Sequence, residues 1–447
     1  MQPRKKVTRK TMEHQTDNRN KRTLLITEAK RFVSFLLSEM KPKGKLVTPF
    51  NVFAAVVLAT TAVLLVIRFT KGLASTTNLS QDFPWGIWIG FDVVTGVAFA
   101  GGAYVVTFMV YVLRLEKYHP IVRITVLNGF LAYVFYAGAL LFDLGRPWNV
   151  INPIIGNSFG VSSVMFLVAW HFMLYMIAQF VEFSPAIAEW LGWKRIRKFL
   201  GGLTLGAVIF GITLSTLHQS GLGALFLMAK SKIHPLWYSE FIPILFFVSS
   251  IFAGLSMVIF EGSISHKVFR KQISLQHHLE HDEIVIGLAR VCAGTMYIYF
   301  FLKVLVFIHG QQWNYINTPM GWWFLVEIVG FVLIPVRLYT QAVQFRNLPL
   351  IRFAAALTLI GIVVNRLNVS IIAFKWYAIE RYIPSWMELE ITLGVIVAEI
   401  LVLRWVVNRM PILSDPPEWA RPRPEVTRET RFVPKEGEEK EWVTINM

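Results

Sequence analysis

Runs of about twenty or more apolar residues recur along the chain, separated by short polar connections. They are bracketed at 49–68, 85–113, 121–142, 159–182, 200–227, 237–261, 283–308, 321–341, 351–374 and 386–408. At about 1.5 Å of helical rise per residue, each is long enough to cross about 30 Å of hydrocarbon. A membrane strand would need about ten residues of alternating polarity, and these runs do not alternate. The pattern predicts an all-α integral membrane protein, a polytopic bundle of about ten transmembrane helices. It leaves a polar N-terminal tail over 1–48, a transmembrane domain over 49–408 and a charged C-terminal tail over 409–447.

Composition excludes an ordinary soluble domain: 55% of the 447 residues are hydrophobic and only 16% are charged, against about 25% charged in a typical globular protein. The formal charge of +16 would suit a nucleic-acid partner, but 13 of the 44 Lys and Arg fall in the first 45 residues and most others flank apolar runs. The charge therefore reads as membrane topology, and no nucleic-acid partner is expected. The second, fourth, sixth and eighth connections carry 13 Lys and Arg, the odd ones six. Because translocated loops are poor in Lys and Arg, both termini are expected in the cytoplasm. Residues 22–40, with Leu24, Leu25, Phe32, Phe35 and Leu36 among charges, suit either an amphipathic helix on that surface or a disordered basic tail. No short apolar stretch ending in small residues marks a cleavable signal, so the first span is expected to direct insertion. The glycines of the second span (Gly86, Gly90, Gly96, Gly101, Gly102) and the fifth (Gly201, Gly202, Gly206, Gly211) are expected to permit close helix packing.

The unusual polar motifs cluster at one face. Phe83-Pro84-Trp85-Gly86 opens the second span, Asp143-Leu144-Gly145-Arg146-Pro147 closes the third, and His218-Gln219-Ser220-Gly221 lies late in the fifth. His234-Pro235-Leu236-Trp237 precedes the sixth, His309 and Trp313 follow the seventh, and Trp386 with Glu388 opens the tenth. All fall on the predicted outer side. Interfacial anchoring explains any one of them; the set points to a functional site at one edge. Ionisable groups inside spans are costly, and each is a functional candidate. Asp92, Glu327 and Lys303 are expected about 10 Å from the outer end and Arg366 about 12 Å, so that Lys303 or Arg366 could pair with a carboxylate. His171 and Glu399 lie near mid-membrane and Glu261 near the inner end. These residues suit either a proton path or helix-fixing pairs.

The sequence has one cysteine, Cys292, so this chain is not expected to ligate an iron-sulfur cluster by itself. No two histidines sit at matched depths for haem, and none of the phosphate-loop, HExxH or paired-cysteine motifs is present. Neither haem nor a protein-bound metal is expected.

At Phe83-Pro84-Trp85-Gly86, Phe91-Asp92, Asp143 with Gly145-Arg146, Trp148-Asn149, His218-Gln219-Ser220, His234-Pro235-Leu236-Trp237, Ile259-Phe260-Glu261-Gly262-Ser263, and Pro384 with Trp386, Glu388 and Glu399, the sequence resembles a known family. This is the Hyb-type membrane (b) subunit of quinone-linked nickel-iron hydrogenases, within the NrfD-like (polysulfide reductase) superfamily. The resemblance covers about residues 50–413 and implies a haem-free, multi-pass subunit of the bacterial cytoplasmic membrane. Such a subunit docks a periplasmic ferredoxin-like iron-sulfur subunit, with hydrogenase large and small subunits beyond it, and exchanges electrons with menaquinone or another quinone. It would not act as a hydrogenase alone. The long basic N-terminus and charged C-terminal tail depart from short-tailed members. They leave open a multihaem cytochrome or molybdenum partner.

Quinone conversion needs an apolar slot with hydrogen-bonding groups at the carbonyls. The expected proton-handling pair is Asp143 and His218, with Arg146 or Gln219 orienting the ring, Trp85 and Trp148 walling the slot and His234 nearby. Asp92, His171, Glu261, Lys303, Glu327, Arg366 and Glu399 form the expected proton path. Two other readings stay open, an ion or solute transporter and a non-catalytic anchor for a periplasmic complex.

Overall fold

The computed structural model describes residues 30–155, 163–270, 275–414 and 417–420, with positions 27 and 273 and the stretches 429–431 and 443–445. Among the described residues ten long helices follow one another: α1 Pro49–Lys71, α2 Trp88–Val112, α3 Glu116–Asp143, α4 Val164–Trp190, α5 Lys194–Ala229, α6 Ile242–Val268, α7 Glu280–Gly310, α8 Pro319–Gln344, α9 Leu348–Ile372 and α10 Trp386–Val407. Among the described residues, α1 to α9 are long and apolar enough to cross a membrane. α10 has similar length but carries Glu388, Glu390, Glu399 and Arg404. The C-terminal tail contributes a short antiparallel pair, Glu429–Arg431 with Val443–Ile445.

The apolar runs locate the helices but miss their polar ends. α4 continues to Trp190, beyond the expected 182, and α5 starts at Lys194. Glu, Lys and Arg are good helix formers and extend a span past the hydrocarbon. Residues 159–162 of the expected fourth span lie outside the described residues. Local chemistry sets several starts. The Thr48 side chain accepts from Asn51 N before Pro49, and Asn347 accepts from Leu350 N before α9. Ser385 and Glu388 form a reciprocal capping box on α10.

α2 is the central helix, with 83% of its apolar window buried against 17–22% for α1, α4 and α5. Its glycines explain the close approach. A Cβ on Gly254 of α6 would lie 2.0 Å from Gly102 N, and one on Gly96 would lie 2.6 Å from the Tyr136 ring of α3. The packing expectation is therefore met for the second span and, in the fifth, at Gly211, whose added Cβ would lie 3.4 Å from the Tyr175 ring and 3.7 Å from Ala178 of α4; it is corrected for the other three. At Gly202 and Gly206 nothing lies within 4 Å of an added Cβ, and Gly201 would meet only Arg197 of its own helix.

α2 is also irregular. It opens with a π-helical stretch over Trp88–Val93, turns at Ala100–Gly101 and closes with a second π stretch over Phe108–Val112. α8 is π-helical over Val326–Leu333, and α9 ends in one over Asn368–Ile372. Each rotates the following side chains out of ordinary phase.

One end of the bundle gathers the basic connections. Arg123 and Arg197 both bond Glu189, at 2.7 and 3.1 Å. Residues 30–40 are helical there, and Phe32 and Phe35 lie against Trp193 and Trp190. Leu24 and Leu25 lie outside the described residues. Arg409 donates to the Glu39 and Lys41 carbonyls, tying this segment to the end of α10. At the opposite end two connections are zipped together. His234 N donates to Ala373 O at 2.9 Å and Lys375 N to Lys232 O at 2.6 Å.

Candidate functional site

The motif residues lie at that opposite end, where odd-numbered helices finish and even-numbered ones begin. They form separate clusters around α2 rather than one constellation.

Glu388 sits at the first. It is fully buried, and its carboxylate accepts from Tyr382 Oη, Ser385 N (2.8 Å) and Asn78 N (3.1 Å). Tyr382 Oη in turn accepts from Ile87 N at 3.0 Å, and Trp88 Nε1 donates to the Glu388 carbonyl. Burial and the neighbouring carboxylate hold the Tyr382 hydroxyl well above the usual phenol range. With its lone pairs so engaged, Glu388 braces the starts of α2 and α10.

Asp143 and Asp92 lie beneath it. Arg68 of α1, 2% exposed, donates through Nε to the Phe142 carbonyl at 2.6 Å and through Nη2 to the Leu144 carbonyl. The guanidinium thus fixes the end of α3 beside Asp143, whose Oδ1 is buried without a hydrogen-bond partner. Asp92, on the first π stretch of α2, is fully buried; its Oδ2 accepts from Thr392 at 3.1 Å and its Oδ1 has no partner. Arg146 and Trp148 lie above at the surface, Trp148 72% exposed.

Glu327 centres the third cluster. Its oxygens accept from Trp237 Nε1 (2.6 Å), Asn365 Nδ2 (2.7 Å) and Asn368 Nδ2. Arg366 reaches it only through Asn365 Oδ1 (2.7 Å); its other amine bonds Ser249, and the guanidinium lies 3.7 Å from the centre of the Phe246 ring. The expectation of a direct cation–carboxylate pair is corrected here. Among the described residues neither Arg366 nor Lys303 has a carboxylate within salt-bridge distance. The Lys303 ammonium instead lies 5.2 Å from the Phe324 ring centre and borders a cavity of about 230 Å³ with Lys230, Tyr238 and His309.

His218, 1% exposed, faces Nδ1 to the Val168 carbonyl at 3.3 Å and leaves Nε2 without a partner. Its ring packs on Tyr133 and Phe172, at centroid separations of 5.7 and 5.3 Å. Tyr133 precedes Asp143 by ten residues, about 15 Å along α3. No hydrogen bond or ion pair joins His218 to Asp143 among the described residues. Gln219 is engaged by Val97 O at 2.8 Å. Trp85 packs between Phe226 and Phe374. The His234 ring is walled by Tyr315 and Trp376, and its Nδ1 accepts from Leu236 N. Burial pushes that imidazole from 6.5 down to about 4.

Toward the other end, Glu261 accepts from Asn128 and lines two cavities that share Thr125, Asn128 and Val258. One, of about 40 Å³, runs to His266 and His281; the other, of about 20 Å³, runs to Glu399 and Tyr136. Both exceed the room one water needs. His171 is partly exposed on α4, with Nδ1 unpartnered.

Sequence reasoning missed Arg68, Tyr136, Asn365, Asn368 and Tyr382. The Asn365-Arg366-Leu367-Asn368 block interrupting an apolar run was a visible signal, as was Arg68 in the last turns of the first span. Tyr136 and Tyr382 resembled ordinary interfacial or core aromatics.

Over residues 75–375 the sequence matches the family described as Polysulphide reductase, NrfD, and the chain belongs to that family. A protein of Nitratidesulfovibrio vulgaris is 44% identical over 376 residues, 84% of this chain and 97% of its own. The probable Ni/Fe-hydrogenase 2 b-type cytochrome subunit of Escherichia coli K12 is 31% identical over 377 residues, 83% of this chain and 94% of its own. A selenate reductase subunit of Mesobacillus selenatarsenatis is 24% identical over 417 residues, covering 81% and 94%. The chain is thus a multi-pass, NrfD-like membrane subunit.

Proposed function

Proceeding from membership of the NrfD family, we propose that this chain is the quinone-reactive subunit of a respiratory oxidoreductase in the bacterial cytoplasmic membrane. Its partner is a nickel-iron hydrogenase whose iron-sulfur subunit docks on the periplasmic end and delivers electrons to quinone bound in the membrane. Quinone becomes quinol by taking two electrons from that partner and two protons through this chain. The observation that carries the reading is Asp143: a half-buried carboxyl whose Oδ1 is buried without a partner, beside a buried arginine, under the loops at one end of a membrane bundle. A carboxyl so placed can exchange a proton with a quinone oxygen while Arg68 keeps the helix end in position. The loop surface above it supports docking, since Tyr377, Ile379, Ile383 and Trp386 are exposed together within one connection. Protons for this site come from the cytoplasm through Glu261, Glu399, Tyr136 and Asp92.

The relative named for a selenate reductase supports a second reading of the partner, with the same quinone chemistry served by a different reductase. Purification from the native membrane distinguishes them. Hydrogenase subunits, stoichiometric quinone and hydrogen-dependent quinone reduction are expected; a complex that binds and converts no quinone overturns the proposal.

A further inference from the structure

Between α3, α4 and α5 runs a file of buried polar atoms, none of them in a hydrogen bond of good geometry: Oε1 of Glu182, both amide atoms of Gln179, Oη of Tyr133, Oγ of Ser215 and Nε2 of His218. Glu182, Gln179 and Tyr175 follow at steps of three and four, on one face of α4, and Ser215 and His218 do the same on α5. Tyr133 bridges them from α3. Its ring centre lies 4.9 Å from that of Tyr175 and 5.7 Å from that of His218, and Ser215 neighbours both tyrosine hydroxyls. From Glu182 to Val168, whose carbonyl faces His218, α4 rises about 21 Å of a core about 30 Å thick.

The file opens at the basic end on a cavity of about 340 Å³, bordered by Tyr111, His119, Arg123, Glu182 and Arg197. Arg123 and Arg197 there are engaged by Glu189, and among the described residues Glu182 has no salt-bridge partner. One orphaned polar atom is a packing defect that stability tolerates. Six in sequence, leading from a cavity to an unpartnered imidazole nitrogen, match a row of sites bridged by water.

We propose that this file is a water-bridged proton wire, with Glu182 as its entry acid, Ser215 and Tyr133 as relays and His218 as its terminus toward the quinone. It rests on the quinone reading above and adds a second route, separate from Glu261 and Glu399. In the reducing direction the electrons come from the docked iron-sulfur partner. Each proton passed from His218 to a quinone oxygen is replaced from the cavity. Two routes match the two protons that quinone takes up.

The test uses the complete complex with a short-chain quinone and a saturating electron donor. Glu182→Gln and Ser215→Ala are expected to assemble with their partners, to lower the rate of quinone reduction at least tenfold and to leave the KM for quinone unchanged. The rate should fall more steeply toward alkaline pH than in the wild type, and small weak acids such as acetate should partly rescue Glu182→Gln. Ser215→Ala removes a single oxygen and carries the test if Glu182→Gln fails to fold. Wild-type rates and pH profiles in the variants, or a slowed Glu182→Gln with an unchanged profile and no rescue, overturn the wire. A wild-type complex that assembles but converts no quinone overturns the quinone reading itself.

Discussion

At the scale of single residues, the carboxyls at the end opposite the basic connections divide by what satisfies them. Glu388 accepts from three donors, so its removal would strand Tyr382 and two backbone N–H groups. Asp143 holds nothing comparable, because Arg68 secures the end of α3 through the Phe142 and Leu144 carbonyls. Asp143→Asn, which keeps the shape but cannot cycle a proton, is therefore expected to assemble normally and to slow quinone turnover about 100-fold or more. Donor-to-quinone assays across pH on the purified complex check this; a wild-type rate at every pH makes Asp143 structural. The sequence brought both carboxyls to the same end of the bundle but could not separate their roles. That separation depends on Arg68 and Tyr382, which arrive from distant segments. The same limit hid the interruption between Arg366 and Glu327: depth along a helix was readable, but the intervening Asn365 depends on helix rotation.

At the scale of elements, the ten helices were legible because a hydrocarbon slab imposes a length that each apolar run must meet. Helix faces were not, since lipid-facing and core-facing side chains are alike apolar. The glycines show the consequence. Gly254→Ala would place a methyl 2.0 Å from the backbone of Gly102, where neither helix can yield, whereas Gly206→Ala meets nothing within 4 Å. The first is expected to abolish a stable bundle; the second should leave the melting temperature unchanged or slightly raised, since alanine favours helix by up to about 1 kcal/mol. Thermal unfolding of the detergent-purified chain distinguishes them. The π stretches carrying Asp92, Glu327 and Asn368 were equally invisible to a 3.6-residue period. The zipped connections supply a pH test. Burial lowers the His234 imidazole to about 4 from 6.5, so the folded state binds its proton less readily than the unfolded chain. Its contribution is complete above pH 6.5 and is lost as pH falls toward 4. The melting temperature should decline over that window, and His234→Gln should flatten the decline.

At the scale of the whole molecule, the candidate chemistry is polarised. Asp143, Asp92 and Glu388 lie toward the end of the zipped loops, while of the two cavities at Glu261 one leads toward the end where Arg123, Arg197 and Arg409 gather and the other inward to Glu399 and Tyr136. If the basic end is cytoplasmic, as the 13 to six division of Lys and Arg implies, protons that reach Asp143 through Glu261, Glu399 and Tyr136 cross most of the membrane while electrons enter from the other face. Moving one charge through 100 mV involves about 2.3 kcal/mol, so turnover must respond to potential. Local exchange at the periplasmic surface would carry no such dependence and would leave Glu261, with Asn128 as its donor, as a helix tie. In tight vesicles that contain the complex with its partners, an imposed potential is expected to shift the rate of quinone reduction several-fold. Glu261→Gln should weaken that response while bound quinone is retained. Quinone reduction indifferent to potential, with no proton uptake from the compartment facing the basic end, makes the enzyme electroneutral and the interior carboxyls structural.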